Sequence, residues 1–351
     1  MIKIETEGTK LIFHPERVAE WKKTGDCFPI YAEIGLTNRC NHRCIFCALD
    51  FIEHKGADIN KKVMLSALED MASHGVKSVM FAGEGEPLLH KDISEFAEAA
   101  KKSGMDVYMT TNGVFFSEEK AEKILPQLTW IRFSVDAGTP ENYALVHQTK
   151  PEDFEKVMRN IQEAAELRNK NNYPATVGVQ ALITKQSLGG ILTLAQKLKE
   201  IGADNLQVKP YSRHPLSRND LKFDYSRAKN IKDQLESMSS EKFQIKYRAE
   251  TIEFLGKARG YSQCRGLSFF ALIDARGNVI PCNLFYGNPE FTYGNLYEKS
   301  FSEIWKSEKR KEVTGKLKEM GVEKCREACR LHPTNQYLER LINPHPHDNS
   351  V

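Results

Sequence analysis

The apolar positions along the chain fall into a repeating two-part rhythm. Apolar runs at 30–36, 76–82, 106–110, 130–135, 175–183 and 204–209 read as strands, some alternating and some continuous. Between them, stretches near 62–74, 92–103, 117–125, 152–168 and 188–201 carry apolar residues at helical spacing. Gly75, Gly104 and Gly202 follow three of these helices, as C-terminal caps commonly do. Strand–helix repetition predicts a parallel sheet with helices outside it. Six such units fill the chain to about residue 240, and eight would need more chain. Ahead of the first strand, Ile2 and Ile4, then Leu11, Ile12 and Phe13, lie around Gly8 and predict a small hairpin; 18–23 predicts a helical turn. Beyond the sixth unit a helix over 225–239 and a strand near 243–247 are expected. Two apolar runs then flank Gly277-Asn278, a pair typical of hairpin turns.

Composition adjusts this picture only at its margins. With 40% hydrophobic and 28% charged residues over 351 positions, the chain reads as a soluble globular protein with one large core and room for a satellite domain. A net charge of +3 without a domain-wide basic excess gives no argument for a nucleic-acid partner. The N-terminus is charged and lacks a signal-peptide core, and no apolar stretch approaches membrane-spanning length. A cytoplasmic location and no membrane partner are therefore expected. Eight cysteines, mostly clustered and without an export signal, favour metal binding over disulfides.

Candidate chemistry begins with Cys40, Cys44 and Cys47, separated by three and then two residues and placed directly after the first strand. So tight a loop can turn three sulfurs toward one point. Soft thiolates select zinc or iron–sulfur clusters. Zinc would need a fourth ligand, from His42 or a distant residue. A four-iron cubane on three thiolates would leave one iron open for chemistry. The C-terminal ends of parallel strands are where active groups gather in such folds. Those ends carry Gly83-Glu84-Gly85-Glu86-Pro87, Thr110-Thr111-Asn112-Gly113, and Ser134 with Asp136. The plain alternatives are a glycine-rich turn, an Asn-Gly turn and a helix cap. Gln180 is polar within an apolar strand and must find partners. After the sixth strand, Lys209, Tyr211, Arg213, His214 and Arg218 form a basic loop suited to phosphate or carboxylate, unless it is merely solvated. Lys209, Tyr211 and His214 are its candidate catalytic residues. Cys264 and Cys282 flank the expected hairpin, and Cys325 and Cys329 have a helix-compatible i, i+4 spacing. Those four form a closed set for zinc or a second cubane. Cys27 stands alone as a buried or incidental thiol, and His332, His345 and His347 read as solvent-exposed.

The run Cys40-x3-Cys44-x-Phe46-Cys47 resembles the signature of the radical S-adenosylmethionine (SAM) superfamily. The resemblance implies a partial (β/α)6 TIM-like barrel. It implies a [4Fe–4S] cluster whose open iron binds SAM and, reduced by an external donor such as flavodoxin or ferredoxin, yields a 5′-deoxyadenosyl radical. It implies SAM contacts at Phe46, at Gly83, Glu84, Gly85, Glu86 and Pro87, at Thr111 and Asn112, at Ser134 and Asp136, and at Gln180. The family's GGEP motif for the methionine amino group is matched with an additional Gly83-Glu84 ahead of Gly85-Glu86-Pro87. Cys264, Gly277 with Cys282, Tyr293-Gly294-Asn295-Leu296 and Ser300 to Trp305 resemble the SPASM or shorter twitch extension. Four late cysteines in place of seven imply one auxiliary [4Fe–4S] cluster. The implied domains are an extension over 1–29, a core barrel over 30–240, an auxiliary domain over 241–335 and a tail over 336–351.

A closed auxiliary cluster is an electron acceptor. The expected reaction is therefore oxidation of a small polar substrate, a sugar or nucleotide-linked sugar, anionic if the basic loop is functional. Redox-neutral epimerisation is an alternative. A peptide-modifying maturase is a second, set against by the 29 residues before the first strand, too few for a leader-binding module. A molybdopterin-precursor cyclase lacks its glycine–arginine ending here, and a cobalamin-dependent methylase would need a further domain. A non-enzymatic electron carrier or zinc scaffold would need no open iron.

Overall fold

The computed structural model describes residues 9–350 apart from 53 and 55. Strands β1 (Tyr31–Ile34), β2 (Ser78–Phe81), β3 (Asp106–Thr111), β4 (Trp130–Ser134), β5 (Thr176–Ile183), β6 (Asn205–Pro210) and β7 (Gln244–Tyr247) pair in chain order, every pair parallel. β8 (Phe270–Ile273) adds to the free edge of β1, also parallel. β9 (Asn278–Ile280) and β10 (Gly294–Asn295) extend it antiparallel. Among the described residues this makes one ten-stranded sheet with β10 and β7 at its edges, a partial barrel that does not close. The late hairpin thus shares a sheet with the βα core.

Period two decides the two faces. Val79 and Phe81, Val107 and Met109, Ile131 and Phe133, and Val177, Val179 and Ala181 are buried under the helices. Helix Glu152–Asn171 shows why its segment docks: Phe154, Val157, Ile161 and Ala164 lie on one stripe and are wholly buried. Fully burying each large side chain of this kind contributes about 1.5–3 kcal/mol. The alternate strand positions, among them Met80, Trp130, Arg132, Gln180 and Lys209, face an internal cavity. Gly75, Gly104 and Gly202 all take a positive φ after their helices.

Several elements depart from expectation. Residues 10–13 form a 3-10 turn rather than a hairpin arm, and the other arm lies outside the described residues. The helical turn expected over 18–23 is a full helix, Pro15–Thr24. Helix Pro140–His147 was not anticipated; Thr139 caps it and Pro140 sits in its first turn. Cys325 and Cys329 lie in turns between helices Glu308–Met320 and His332–Ile342, not on a helix. Gly321, at φ +68, ends the first of these helices and lets the chain change direction. His332 is buried, not exposed, because its ring accepts the Tyr261 hydroxyl or donates to it at 2.9 Å. No helix among the described residues is long and apolar enough to cross a membrane.

Candidate active site

The first cysteine loop is clamped from both sides. Thr37 bridges Asp58, Arg39 forks onto the Asp58 carboxylate at 3.1 and 2.6 Å, and Arg43 donates to the Cys40 and His42 carbonyls at 2.7 Å. Cys47 N–H bonds back to the Cys44 carbonyl, so the last two thiols share one turn. Gly85 packs directly on this backbone. A Cβ there would stand 2.2 Å from the Thr37 carbonyl and 2.6 Å from that of Arg39. That approach requires glycine.

The two acidic residues of the Gly83–Pro87 loop serve as scaffold. Glu86 is buried and accepts from the Thr111 hydroxyl at 2.6 Å, from Asn112 N–H at 2.7 Å and from Leu88 N–H at 3.1 Å. Asn112 in turn donates to Asn41 beside Cys40 at 2.7 Å. One carboxylate therefore ties the ends of β2 and β3 to the cysteine loop. Glu84 reaches the other way and accepts Ala275 N–H of the late hairpin at 2.5 Å. Burial pushes its carboxyl up to about 7. As contacts to a bound SAM, Glu84 and Glu86 can thus offer their main chain; their carboxylates are engaged elsewhere.

Asp136 and His147 form a unit behind the loop. Asp136 is buried, its Oδ1 accepts Leu182 N–H at 2.5 Å, and burial pushes its carboxyl up to about 7. Its N–H donates to His147 Nε2 at 3.2 Å. His147 is therefore neutral with the proton on Nδ1, and Nδ1–H points at Cys44 Sγ 3.3 Å away. His42, Cys44 and His147 offer donor atoms within 4.8 Å of one another. The tautomer makes His147 a hydrogen-bond donor to the thiol rather than a third metal ligand.

The late cysteines come from three segments. Cys264 precedes the 3-10 turn Arg265–Phe269, and Cys282 follows β9. Asn335 donates to Cys264 Sγ at 3.3 Å and accepts Gly266 N–H at 2.8 Å, while Arg259 holds the Cys325 and Arg326 carbonyls. All eight cysteines are free of disulfides. Burial pushes Cys40 up to about 11 and Cys264 to about 12, and raises Cys44, Cys47, Cys282 and Cys325. Repulsion from neighbouring thiolates adds to it within each set: Cys40 and Cys47 on Cys44, Cys329 on Cys264, Cys282 and Cys325. Such gathered, buried thiols ionise together only when a metal centre supplies positive charge. Both sets fit iron–sulfur ligation. Cys27 is buried apart from them, donating to the Ser268 carbonyl.

A cavity of ≈ 1220 Å³ joins the two sets: Cys47 lines it, as do Cys264, Cys282, Cys325 and Cys329. Ligand sites commonly span roughly 300–1,000 Å³, so this one has room for more than one small molecule. Phe46, Gly83, Gln180, Lys209 and Tyr211 also line it. Ser134 pairs with Gln180 across β4 and β5. Burial raises the Tyr211 pKa, partly offset by the neighbouring Ser217 hydroxyl and by Arg326. Lys209 is pulled down to about 7 by burial and then by the positive charge of Arg132, Arg330, Arg248 and Arg326. His214 does not reach the cavity. Its Nε2 bonds to the Asn283 carbonyl at 3.1 Å, its Nδ1 accepts Leu216 N–H at 3.1 Å, and Phe51 stacks on it. Of the basic loop, Lys209 and Tyr211 line the cavity, whereas Arg213 bonds to the Asn219 and Ser217 carbonyls. The same loop grips the first cysteine turn through Asp50 and the Cys47 carbonyl.

The sequence reading missed His147, Asn335 and the cavity arginines. Arg132 had a legible signal, because period two puts it on the same face of β4 as Ser134. His147 had none, since its helix was not anticipated.

Comparison with known proteins agrees with this geometry. Residues 34–198 match the model of the radical SAM superfamily, and residues 264–330 match that of an iron–sulfur cluster-binding domain named SPASM. A tungsten-containing aldehyde ferredoxin oxidoreductase cofactor-modifying protein of Pyrococcus furiosus is 25% identical over 299 residues, covering 80% of this chain and 81% of that one. An AdoMet-dependent heme synthase of Methanosarcina barkeri is 26% identical over 301 residues, covering 78% and 80%. Among solved structures, Streptococcus suis SuiB bound to S-adenosylmethionine superposes with a TM-score of 0.68 at 20% identity, covering 88% of this chain and 72% of that one. SuiB has also been solved with its precursor peptide SuiA.

Proposed function

We propose, for a chain that belongs to the radical SAM superfamily and carries a SPASM domain, that it is an enzyme oxidising a small polar substrate by hydrogen abstraction. Its cofactors are a SAM-binding [4Fe–4S] cluster and an auxiliary iron–sulfur cluster. The observation that carries the oxidative reading is the single cavity lined by Cys47 and by all four late cysteines. When bound, the first cluster with SAM supplies a hydrogen-abstracting 5′-deoxyadenosyl radical, and the auxiliary cluster supplies an electron acceptor.

The residues divide the remaining work. Cys40, Cys44 and Cys47 would hold the first cluster, and Cys264, Cys282, Cys325 and Cys329 the second. The main chain of Gly83–Pro87 and the side chains of Phe46, Ser134 and Gln180 face or border the space for SAM, while Glu86, Thr111, Asn112 and Asp136 brace that wall. Lys209, its amine brought to about 7, takes the proton that a substrate alcohol must lose on its way to a carbonyl. Tyr211, held protonated by burial, donates a hydrogen bond to substrate. The reducing electron comes from an external flavodoxin or ferredoxin.

A sugar or nucleotide-linked sugar, expected from sequence, has no counterpart among the relatives named above, whose names speak of a metal cofactor and haem. The proposal is confined to a small polar molecule. A peptide substrate rests on likeness of fold alone. Deuterated candidate substrates test the reading with anaerobically reconstituted, reduced protein. Label is expected in 5′-deoxyadenosine, with a product two electrons more oxidised. A product isomeric with substrate would remove the oxidative reading.

A further inference from the structure

The cavity wall carries more positive charge than its own carboxylates balance. Arg132 from β4, Lys209 from β6, Arg248 just after β7, and Arg326 and Arg330 from the last cysteine segment all line it. Glu33, Glu250 and Glu327 line it too. Glu33 is taken by Arg330, which also donates to the Tyr31 hydroxyl at 3.1 Å. Glu250 is taken by Arg248 at 3.2 Å, and Glu327 is exposed. Arg326 holds the Ser212 carbonyl and lies within electrostatic reach of Cys329 and Cys282, which are its counter-charges once ionised.

Arg132 has no carboxylate partner among the described residues. Its guanidinium lies over the Trp130 ring, 4.4 Å from the centroid, and Trp130 stacks on Tyr108 at 4.9 Å. Its neighbour across β5 is Gly178, and the buried side chain of Asn205 on β6 fills the space that a Cβ would take there. Burial pulls Arg132 down to about 10, which leaves it charged at neutral pH. The same arginines depress the Lys209 amine, so the group lies within mutual electrostatic reach. A half-buried guanidinium without a counter-charge is costly to desolvate unless an anion joins it. Its planar fork suits the paired oxygens of carboxylate or phosphate.

We propose that the substrate carries an oxyanion, a carboxylate or a phosphate, that docks on Arg132 with Arg248 and Arg326 around it, and that its apolar body lies against Met80, Leu182 and Leu284. This rests on the function proposed above and narrows it to an anionic small molecule. The anion that neutralises the arginines also weakens their repulsion on Lys209, while burial continues to hold that amine down.

The test is calorimetric titration of the reconstituted, SAM-loaded protein with pyrophosphate in one arm and glutarate in the other. SAM brings its own carboxylate, so a probe that binds does so at a second anion site. One probe is expected to bind once per chain, and which one separates phosphate from carboxylate chemistry. Arg132→Gln should weaken it about tenfold or more, the loss of a charge-assisted hydrogen bond. Arg132→Lys should recover part of the loss, and Arg159→Gln, exposed on helix Glu152–Asn171, should change nothing. Binding of neither probe overturns the proposal, as does an equal loss in Arg159→Gln. A parallel fall in SAM affinity in Arg132→Gln also overturns it, because the cation would then belong to SAM. Failure of the underlying function shows separately, as absence of 5′-deoxyadenosine from reduced wild-type protein given SAM alone.

Discussion

The two cysteine sets solve one coordination problem by opposite means. The early set places three thiols within eight residues, on a single loop at the end of β1. The late set draws four from three segments spread over 264–329, and needs the hairpin, Gly321 and the last helix to bring them together. A local loop supplies three ligands and leaves an iron open; distant segments can close the fourth corner. Openness and chemistry go with the short-range set, and closure and electron storage with the long-range one.

Removing one thiol from each set breaks or sustains that contrast with the largest expected effect. Cys44→Ala should abolish reductive SAM cleavage and lower bound iron from about eight to about four per chain. Cys282→Ala should lower iron by a similar amount yet leave 5′-deoxyadenosine formation in reduced protein within a few-fold of wild type. Iron analysis and product chromatography on the same preparations decide it. Loss of SAM cleavage in both variants would erase the division of labour.

Glycine substitutions probe the scaffolds and should act more mildly on the late set. Gly85→Ala drives a Cβ into two carbonyls at 2.2 and 2.6 Å, and backbone cannot step aside as a side-chain tip can. The cysteine loop should shift, with loss of the first cluster's iron and a lowered Tm. Gly277→Ala, at φ +78 in the hairpin, meets the Tyr297 ring at 2.9 Å. Tyr297 is half-exposed and can move, so the cost should be near the about 1–2 kcal/mol of a left-handed alanine. Thermal melts and iron content should rank the two variants in that order; the reverse ranking would mean the early loop is the more compliant.

The same contrast explains what the sequence could and could not tell. The triplet, the Gly83–Pro87 loop and the strand–helix rhythm are local patterns, and each maps onto a strand end or an element of the fold. That β8 would join β1 in parallel was not legible, because strand pairing across more than 200 residues leaves no spacing to read. The helical reading of Cys325 and Cys329 failed on Gly321 and the turns after it. His214 looked chemical because it is a histidine beside arginines. Its two nitrogens are satisfied by main chain from its own loop and from Asn283, a partner 69 residues away. Conversely, Arg132 shares a face of β4 with Ser134, a period-two signal that the reading left unused, and its place on the cavity wall marks it as chemical.

The smallest predicted effect is also the one that compares the sets most directly, since among the described residues each has a side-chain N–H directed at a sulfur. His147 Nδ1–H points at Cys44 and Asn335 Nδ2–H at Cys264, both at 3.3 Å. A hydrogen bond to a ligand sulfur favours the more electron-rich, reduced cluster and raises its potential. His147→Phe keeps the ring stacked on Tyr143, 4.1 Å away, and removes the donor. If the bond differs by about 1 kcal/mol between oxidation states, its loss lowers the first potential by about 40 mV for one electron. His147→Gln, which restores a donor and an acceptor, should recover part of the shift. Asn335→Leu should lower the auxiliary potential by a similar amount and leave the first unchanged. Electron paramagnetic resonance during redox titration resolves the two clusters separately. A single variant that moves both potentials would show the sets to be electrostatically one unit, and shifts of opposite sign to these would show that neither N–H donates to its sulfur once iron is bound.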